Sequence, residues 1–356
     1  VTISKNHTKE HRTIQVAALT ANPAEYSVAV VANSPLVPLL NDGLVRSLDD
    51  LVAKHGGSLQ KHQLVTIDGK IMAIAFMANA QHFYYRSDIL EKAGVAVPST
   101  YEDVLAAAEA IKSAGLMEHP FAFNSAPGWN LGEEFINMYM GTGADFFKPG
   151  TAEVSINNEH GIATLNMMKA LTEHSNPDFL TFNSDATAAL WEAGDLALAT
   201  MWGSRAGPIL DGEGSTEAIT SSTVVASAPS FAGGSRPSST LWWDGFAIAS
   251  NVSDMDAEAS FIAMMNGISS EMVKANNDLT VWLIDGYKAG PTAVGVSETA
   301  ANGAAPYPML PFMGTLHGAA GAELTDFLQG NESAEQALSD IEAAYTAAAI
   351  EKGFLN

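Results

Sequence analysis

The stretch TLWWDGFAIA at residues 240–249 places two tryptophans directly before Asp244 and Gly245. It has the composition of a β-strand, whose successive side chains point to opposite faces, so Trp242 and Trp243 cannot both enter one core. A large aromatic surface beside a carboxylate is costly to leave in water unless something binds there. The pattern therefore predicts one core tryptophan and one tryptophan that faces a ligand.

A second stretch that could do chemistry is HTKEH at residues 7–11, which matches the H-x-x-E-H pattern of inverted zinc peptidases. On a helix, His7 and His11 would lie one turn apart and could hold a metal while Glu10 activates water. Only three of the five positions are fixed, and a solvated polar face has the same spacing. No third-ligand signature follows, so no bound metal is predicted.

Other catalytic signatures do not occur in the sequence, which has no G-x-S-x-G, P-loop or Rossmann glycine pattern. Glu133 and Glu134 are neighbours on an expected helix and point apart, whereas the two acids of a glycosidase share a cleft. The chain has no cysteine, which excludes disulfides, thiolate zinc sites and cysteine nucleophiles. No cofactor is predicted.

The amino-acid composition limits the classes of partner that the chain can bind. Forty acidic residues against 17 basic ones give a formal net charge of -23, which repels nucleic acid and anionic lipid. With 356 residues, 47% of them hydrophobic, the chain can bury a large core and divide into two lobes. No apolar run approaches the ~20 residues of a membrane span and no leader opens the chain, so we expect a cytoplasmic or a mature exported protein.

Strand-like and helix-like segments alternate. A buried strand is expected at 26–34, and a strand pair at 66–86 that turns at Asp68-Gly69. Helices are expected at 99–115, with Ser99 or Thr100 as its cap, and further along the chain. This alternation predicts a layered α/β protein, and because there is no linker-like segment, ordinary strands must cross any lobe boundary.

The segment FYYRSDILEKAGVAVPSTYEDVLAAAEAIK, residues 83–112, resembles the family 1 extracellular solute-binding proteins of ABC importers. In that family a hinge strand runs into a segment of the type YYNKDLFEKAGL-PP-TWDEL. The matching residues follow in order without a gap: Tyr84, Tyr85, Asp88, Leu90, Lys92, Ala93, Gly94, Pro98, Thr100, Tyr101 and Glu102. Further segments, among them GTGADFF and ALWEAGDLALATM, look like the same family in the same order, so the resemblance covers most of the chain.

The resemblance implies a two-lobed, maltose-binding-protein-like α/β fold, the periplasmic-binding-protein fold, with a ligand cleft that closes about hinge strands. Carried over by segment, the N-terminal lobe would hold 1–79 and 245–300, and the C-terminal lobe 80–244 and 301–356. Family members usually begin with a strand and a helix ahead of the strand that VTIS resembles. We therefore expect the true N-terminus to lie upstream.

Ten candidate ligand-binding residues follow from the resemblance and from the expected strand ends. They offer aromatic faces, amides, a hydroxyl, a guanidinium and a carboxylate, which suit a polyhydroxylated solute. They are Asn33, Ser34, Asn79, Asn124, Trp129, Trp202, Arg205, Trp242, Trp243 and Asp244. Family position makes Trp243 the predicted cleft tryptophan, although a bulge would exchange the faces. The alternatives are turn or cap roles for Asn and Ser, and a structural ion pair for Arg205.

The resemblance implies a non-enzymatic, monomeric periplasmic receptor that would capture a carbohydrate or polyol and hand it to the permease of an ABC importer. The alternative is a secreted or periplasmic hydrolase, either a zinc peptidase using HTKEH or a glycoside-acting enzyme using a carboxylate pair. Basic residues near the expected cleft are few, which favours a neutral sugar or a monoanion over a doubly charged phosphate. The solute itself is not specified by the sequence.

Overall fold

The computed structural model describes residues 3–6 and 11–356, without the side chains of residues 11–13. Contacts divide this part of the chain into two units. Unit 1 contains the described residues up to Asn79 together with Trp242–Ala289 and Tyr307–Pro311. Unit 2 contains Ala80–Leu241, Gly290–Pro306 and Phe312–Asn356.

Strands and helices alternate through the described chain. The strands are β1 Val28–Ala32, β2 Leu64–Ile67, β3 Lys70–Arg86, β4 Phe121–Ala122, β5 Leu198–Trp202, β6 Thr223–Ala226, β7 Thr240–Ile248, β8 Val281–Trp282 and β9 Ala305–Pro306. The α-helices are α1 His11–Thr20, α2 Asn33–Asn41, α3 Asp49–His55, α4 Ser87–Ala93, α5 Tyr101–Ser113, α6 Trp129–Gly141, α7 Glu159–Thr172, α8 Ser184–Ala193, α9 Ala206–Leu210, α10 Glu217–Ser222, α11 Asp254–Gly267, α12 Ser270–Ala275, α13 Val294–Ala301, α14 Met313–Gln329 and α15 Ala334–Glu351.

Unit 1 is built on antiparallel strand pairs. β1 pairs with β7 so that Val28 lies opposite Ile248, β2 forms a hairpin with β3, and β8 pairs with β3. The hairpin turns at Asp68 and Gly69, whose φ angles of 49° and 77° are left-handed, which is the conformation that an Asp-Gly pair favours. The turn predicted at this pair is therefore confirmed.

Unit 2 places the second half of β3 between two antiparallel neighbours, because Phe83 pairs with both β5 and β6. β4 runs parallel to β5. A buried apolar cluster fills one side of these strands, where the ring of Trp191 contacts the edge of Tyr84 and its indole N–H donates to the Thr223 hydroxyl at 3.0 Å. This side of the sheet is therefore a buried apolar core in which the Trp191 indole N–H is paired.

Helix α5 begins at the expected cap. The backbone N–H of Asp103 donates to the Thr100 hydroxyl at 3.0 Å, and the backbone N–H of Thr100 donates to the Asp103 carboxylate at 3.1 Å. These reciprocal bonds satisfy amide groups that the first turn of a helix leaves unpaired. The strand expected at VTIS is not formed in its described part, since residues 3–6 are neither helix nor strand.

Two strands run from one unit into the other, β3 at Asn79–Ala80 and β7 at Leu241–Trp242. The observed units differ from the lobes proposed from the sequence, since residues 242–244 and 307–311 lie in unit 1 and residues 290–300 lie in unit 2. The placement of residues 290–300 has a packing reason. Thr299 of α13 accepts a hydrogen bond from the Ala228 N–H at 3.0 Å, which binds α13 to the chain after β6.

His82 is a buried histidine of β3 within unit 2. Its ring stacks on Tyr84 at 4.5 Å, and Gly295 of α13 lies so close that an added Cβ would come within 2.3 Å of Nδ1. Nε2 has no hydrogen-bond partner among the residues that the structure describes. Burial lowers the pKa of His82 from 6.5 to about 4, so the ring is neutral in the folded protein at neutral pH.

Replacing His82 by phenylalanine is expected to flatten the pH dependence of stability between pH 4 and 6.5. In this window the unfolded histidine binds a proton and the folded one does not, so stability falls as the pH drops from 6.5 to 4. The loss is about 3 kcal/mol at ~1.36 kcal/mol per pH unit. Urea unfolding at a series of pH values measures it. The exposed His62→Gln should keep the wild-type slope, and an unchanged slope in His82→Phe would contradict the assignment.

Candidate functional site

Two tryptophans of unit 2 stack on each other. Trp129 is the first residue of α6 and Trp202 is the last residue of β5, and their ring centroids lie 6.0 Å apart with an angle of 25°. Gly128 precedes the helix with φ 89°, a left-handed conformation that glycine adopts without strain. The pair therefore forms an aromatic stack at the end of a buried strand, in which Trp129 is half-buried and Trp202 is 9% exposed.

His317 of α14 adds a third ring. It stacks on Trp129 at 5.0 Å, and Nε2 lies 2.8 Å from the Trp129 carbonyl oxygen. His317 is not among the residues predicted from the sequence. The available signal was weak, a single histidine within the otherwise small and apolar run TLHGAAGA.

Asn124 is a fully buried polar residue that precedes α6. Neither amide atom has a partner of good hydrogen-bond geometry within the described ranges 3–6 and 11–356. The side chain nevertheless lies close enough to Glu134 to help lower the pKa of that carboxyl. A buried amide in this condition is typical of a group reserved for a ligand or an ordered water.

Arg205 forms an ion pair. Its Nη1 lies 2.9 Å from a carboxylate oxygen of Asp185 in the first turn of α8, and both side chains are partly exposed. The structural alternative considered for Arg205 is thus present in the structure. Its charge is offset locally by Asp185, which makes it a weaker site for an anion than the sequence suggested.

The unit 1 candidates lie at the end of β1 and along β3 and β7. Asn33 is buried and accepts a hydrogen bond from the Trp243 backbone N–H at 3.0 Å, so it fastens α2 to β7. Ser34, Asn79 and Asp244 are half-buried. A structural role is therefore observed for Asn33, and the ligand roles of all four stay predictions.

Trp242 and Trp243 have different surroundings. Trp242 is 6% exposed and its ring lies 4.4 Å from that of Tyr307. Trp243 is half-buried and packs against the apolar core of unit 1 around Val31 and Ala247. Strand alternation sends the two rings to opposite faces. Both rings therefore pack on neighbouring side chains, Trp242 being the more buried, and the choice of Trp243 as the cleft tryptophan stays a prediction.

Glu133 and Glu134 of α6 are both buried, which the sequence did not indicate. The Glu134 carboxyl accepts hydrogen bonds from the Gln81 amide at 2.9 Å and the Asn124 backbone N–H at 3.1 Å. Burial is the main cause that raises the pKa of Glu134 to about 8. At neutral pH this carboxyl is therefore largely protonated, which suits a structural acid held inside unit 2.

Within residues 3–6 and 11–356, no group of three or more histidines and carboxylates is arranged to hold a metal ion. The HTKEH pattern lies outside this observation, because residues 7–10 and the side chain of His11 are not among those described. In the same part of the chain, no helix has the length and hydropathy needed to cross a bilayer.

The family whose sequence profile matches this chain is the bacterial extracellular solute-binding protein family, over residues 12–271. The match covers most of the chain, and the chain belongs to this family. The resemblance seen around Tyr84 and Tyr85 is therefore confirmed.

Two curated relatives carry related descriptions. A probable ABC transporter-binding protein of Deinococcus radiodurans is 24% identical over 184 residues, 49% of this chain and 42% of the relative. An uncharacterized ABC transporter extracellular-binding protein of Pyrococcus horikoshii is 36% identical over 81 residues, 22% of this chain and 19% of the relative. The matched segments thus span less than half of each relative.

Solved structures share the fold over nearly the whole chain. Maltose-bound T. maritima MalE3 is 19% identical with a TM-score of 0.80, covering 95% of this chain and 88% of that one. A ribitol-bound ABC transporter solute-binding protein of Agrobacterium radiobacter is 18% identical with a TM-score of 0.82 and the same coverage of 95% and 88%. The predicted fold class, an α/β solute-binding protein fold, is therefore confirmed.

Replacing Glu134 by glutamine is expected to remove a fall in stability between pH 4.5 and 8. The folded carboxyl keeps its proton up to about pH 8 and the unfolded one loses it near 4.5, so its contribution is complete below pH 4.5 and is lost as the pH rises through 8. The fall is on the order of 4 kcal/mol at ~1.36 kcal/mol per pH unit. Denaturant unfolding measures it, with the exposed Glu335→Gln as control. A falling limb that survives in Glu134→Gln would show that another group causes it.

Proposed function

We propose that this chain is a monomeric, non-enzymatic periplasmic receptor that captures a carbohydrate or polyol and delivers it to the permease of an ABC importer. The stacked pair Trp129–Trp202 is the observation that carries the solute class. The faces of sugar rings and polyol chains carry C–H groups that pack on aromatic rings, while their hydroxyls need polar partners. Membership of the family supports capture of a solute.

One buried amide suited to hydroxyls, that of Asn124, precedes Trp129 by five residues in the sequence. The Asn124 amide offers a donor and an acceptor, both without a well-aligned partner among the described residues. A hydroxyl that bonds to this amide would remove the desolvation cost that the buried amide now carries. We infer that Asn124 selects hydroxyl groups and that the two tryptophans select the apolar face of the solute.

A neutral solute is favoured over an anion. Arg205 is paired with Asp185 at 2.9 Å, and the protein as a whole is strongly acidic. The similar solved structures name maltose, ribitol, D-mannitol and laminaribiose as bound molecules, all of them uncharged. This agrees with a neutral sugar or polyol for the present chain.

The geometry offers little support for a hydrolase. A glycosidase needs two carboxyls that face one substrate, whereas Glu133 and Glu134 are buried and bind different partners, Thr240 at 2.7 Å and Gln81 at 2.9 Å. We therefore propose binding without turnover.

A thermal-shift screen with maltose, laminaribiose, ribitol, D-mannitol, gluconate and glycerol phosphate is expected to identify a neutral compound that raises the melting temperature. Trp202→Ala should weaken binding of that compound by roughly 2 kcal/mol or more in calorimetry, because it removes one of the two stacked rings. Trp282→Ala, which removes a half-buried tryptophan of unit 1, is the control and should keep the affinity. Release of hydrolysed product, or stabilisation only by the phosphate, would contradict the proposal.

The tryptophan pair of β7 gives a separate test. Trp242→Ala should lower the free energy of unfolding by about 3 to 5 kcal/mol and leave solute affinity nearly unchanged, since its ring is the more buried and packs on Tyr307. Trp243→Ala should weaken binding by roughly 2 kcal/mol, measured well below the melting temperature of the variant. Equal losses of stability with no selective loss of affinity would mean that both rings are core residues.

A further inference from the structure

The sequence contains two Asn-Gly pairs, Asn266-Gly267 and Asn302-Gly303. In such a pair the backbone can attack the asparagine side chain, because glycine has no Cβ to shield its nitrogen and its backbone rotates freely. All four residues are exposed, and a Cβ added at either glycine would meet no atom of a more distant residue within 4 Å. Residue type and exposure therefore do not distinguish the pairs, and a difference in reactivity must come from their hydrogen bonds.

Asn266 is held inside helix α11. It is the last but one residue of the helix, and its side-chain amide nitrogen donates to the Ile262 carbonyl oxygen at 2.8 Å. Gly267 is the last helical residue, and in a helix each N–H points to the carbonyl four residues earlier. Ile268 follows with 5% exposure, and its N–H donates to the Met264 carbonyl at 3.0 Å. Both reacting groups of this pair are therefore bonded, and a buried side chain anchors the end of the helix.

Asn302 lies just outside helix α13. Its backbone angles are φ −80° and ψ 5°, and Gly303 has φ 90°, the left-handed conformation that glycine adopts after a helix. The Gly303 N–H donates to the Ala300 carbonyl at 3.1 Å, and the Ala304 N–H donates to the Thr299 carbonyl at 3.2 Å. These reciprocal bonds are the Schellman arrangement in which many helices end. Among the residues that the structure describes, none forms a hydrogen bond with the Asn302 side chain.

The two pairs therefore differ in what must break before the backbone can react. Rotation about ψ of Asn302 brings the Gly303 nitrogen to the side-chain carbon, and it costs two terminal bonds that lie at the long end of the normal range. Such helix ends open at little cost in free energy. At Asn266 the same rotation also breaks the bond to Ile262 and pulls on the buried Ile268.

We propose that Asn302 is a site of spontaneous deamidation in the folded protein and that the fold protects Asn266. The Gly303 nitrogen attacks Cγ of Asn302, a C–N bond forms, and the side-chain nitrogen leaves as ammonia with the proton of the Gly303 amide. Water then opens the resulting succinimide ring. Hydrolysis at the bond from nitrogen to Cγ gives aspartate, whereas hydrolysis at the main-chain carbonyl gives isoaspartate, whose backbone runs through Cγ. The proposal does not depend on the proposed function.

The isoaspartate product changes the end of α13. The backbone after residue Asn302 is longer by one carbon, so the two reciprocal bonds cannot both be kept. The product also places a negative charge at the C-terminal end of the helix, which the helix dipole disfavours, and one turn after Glu298. Glu298 and Thr299 bind α13 to the chain after β6 by accepting from the Ser227 N–H at 3.2 Å and the Ala228 N–H at 3.0 Å. Deamidation therefore loosens the attachment of α13.

The test is peptide mapping by mass spectrometry after the full chain has been incubated in mildly alkaline buffer below its melting temperature. In the folded chain Asn302 should deamidate about tenfold or more faster than Asn266, because the anchored helix must open before the attack. In urea, where both helices are unfolded, the two pairs should react at similar rates. Equal rates in the folded chain, or an Asn302 that stays intact while the urea sample reacts, would overturn the proposal.

Three variants test the structural consequence. Incubated wild-type protein should melt about 2 to 4 °C below the fresh protein. Asn302→Gln, whose longer side chain forms the cyclic intermediate far more slowly, should keep its melting temperature, whereas Asn266→Gln should lose as much as the wild type. Fresh Asn302→Asp carries the charge on an ordinary backbone and should lose less than the incubated wild type. An equal loss in Asn302→Gln would contradict the assignment of the loss to this site. The ratio of the two rates in the wild-type chain needs no variant to fold.

Discussion

Helix α6 forms buried hydrogen bonds to both strands that connect the two units, and the rest of unit 2 depends on this network. On β3, Gln81 donates to Glu134 at 2.9 Å and accepts from the Asn137 amide at 3.1 Å. On β7, Thr240 donates its backbone N–H to the same Asn137 at 2.8 Å. Because a buried polar group that loses its partner pays the full desolvation cost, each member holds the others in place. One helix thus fixes the path of two strands that are far apart in the sequence.

The hydrogen-bond network of α6 also fixes the position of the candidate solute site. Trp129 is the first residue of α6, so its location follows from the hydrogen bonds made one and two turns further along the same helix. The Glu134 carboxyl also accepts from the Asn124 backbone N–H, which places the amide proposed to bind hydroxyls. The Glu134 carboxyl and its partners therefore position both the aromatic and the polar part of the candidate site.

The sequence predicted those features that depend on neighbouring residues. The Asp68-Gly69 turn and the Thr100 cap are local, and both are present. The fold class came from the gapless match around Tyr84, because layered α/β alternation alone fits many folds. The partners of Glu134 could not be predicted, since Gln81 lies in another element and only the fold brings it within 2.9 Å of the carboxyl. The same limit on prediction applies to Trp242 and Trp243. Strand alternation shows that the two rings point to opposite faces, but only the packing around each ring shows which face belongs to the core.

The close contact between α6 and α14 limits which residues can be replaced when this protein is engineered. At Gly132 and Gly321 the two helices approach so closely that a methyl group at either position would lie 2.5 Å or less from backbone oxygen of the other segment. Any larger residue must push the helices apart and carry Trp129 with them. Libraries aimed at a new solute could vary the side chains at Asn124 and Trp202, whereas these two glycines should be held constant. The candidate solute site can thus be redesigned only as far as the close contact between α6 and α14 is kept.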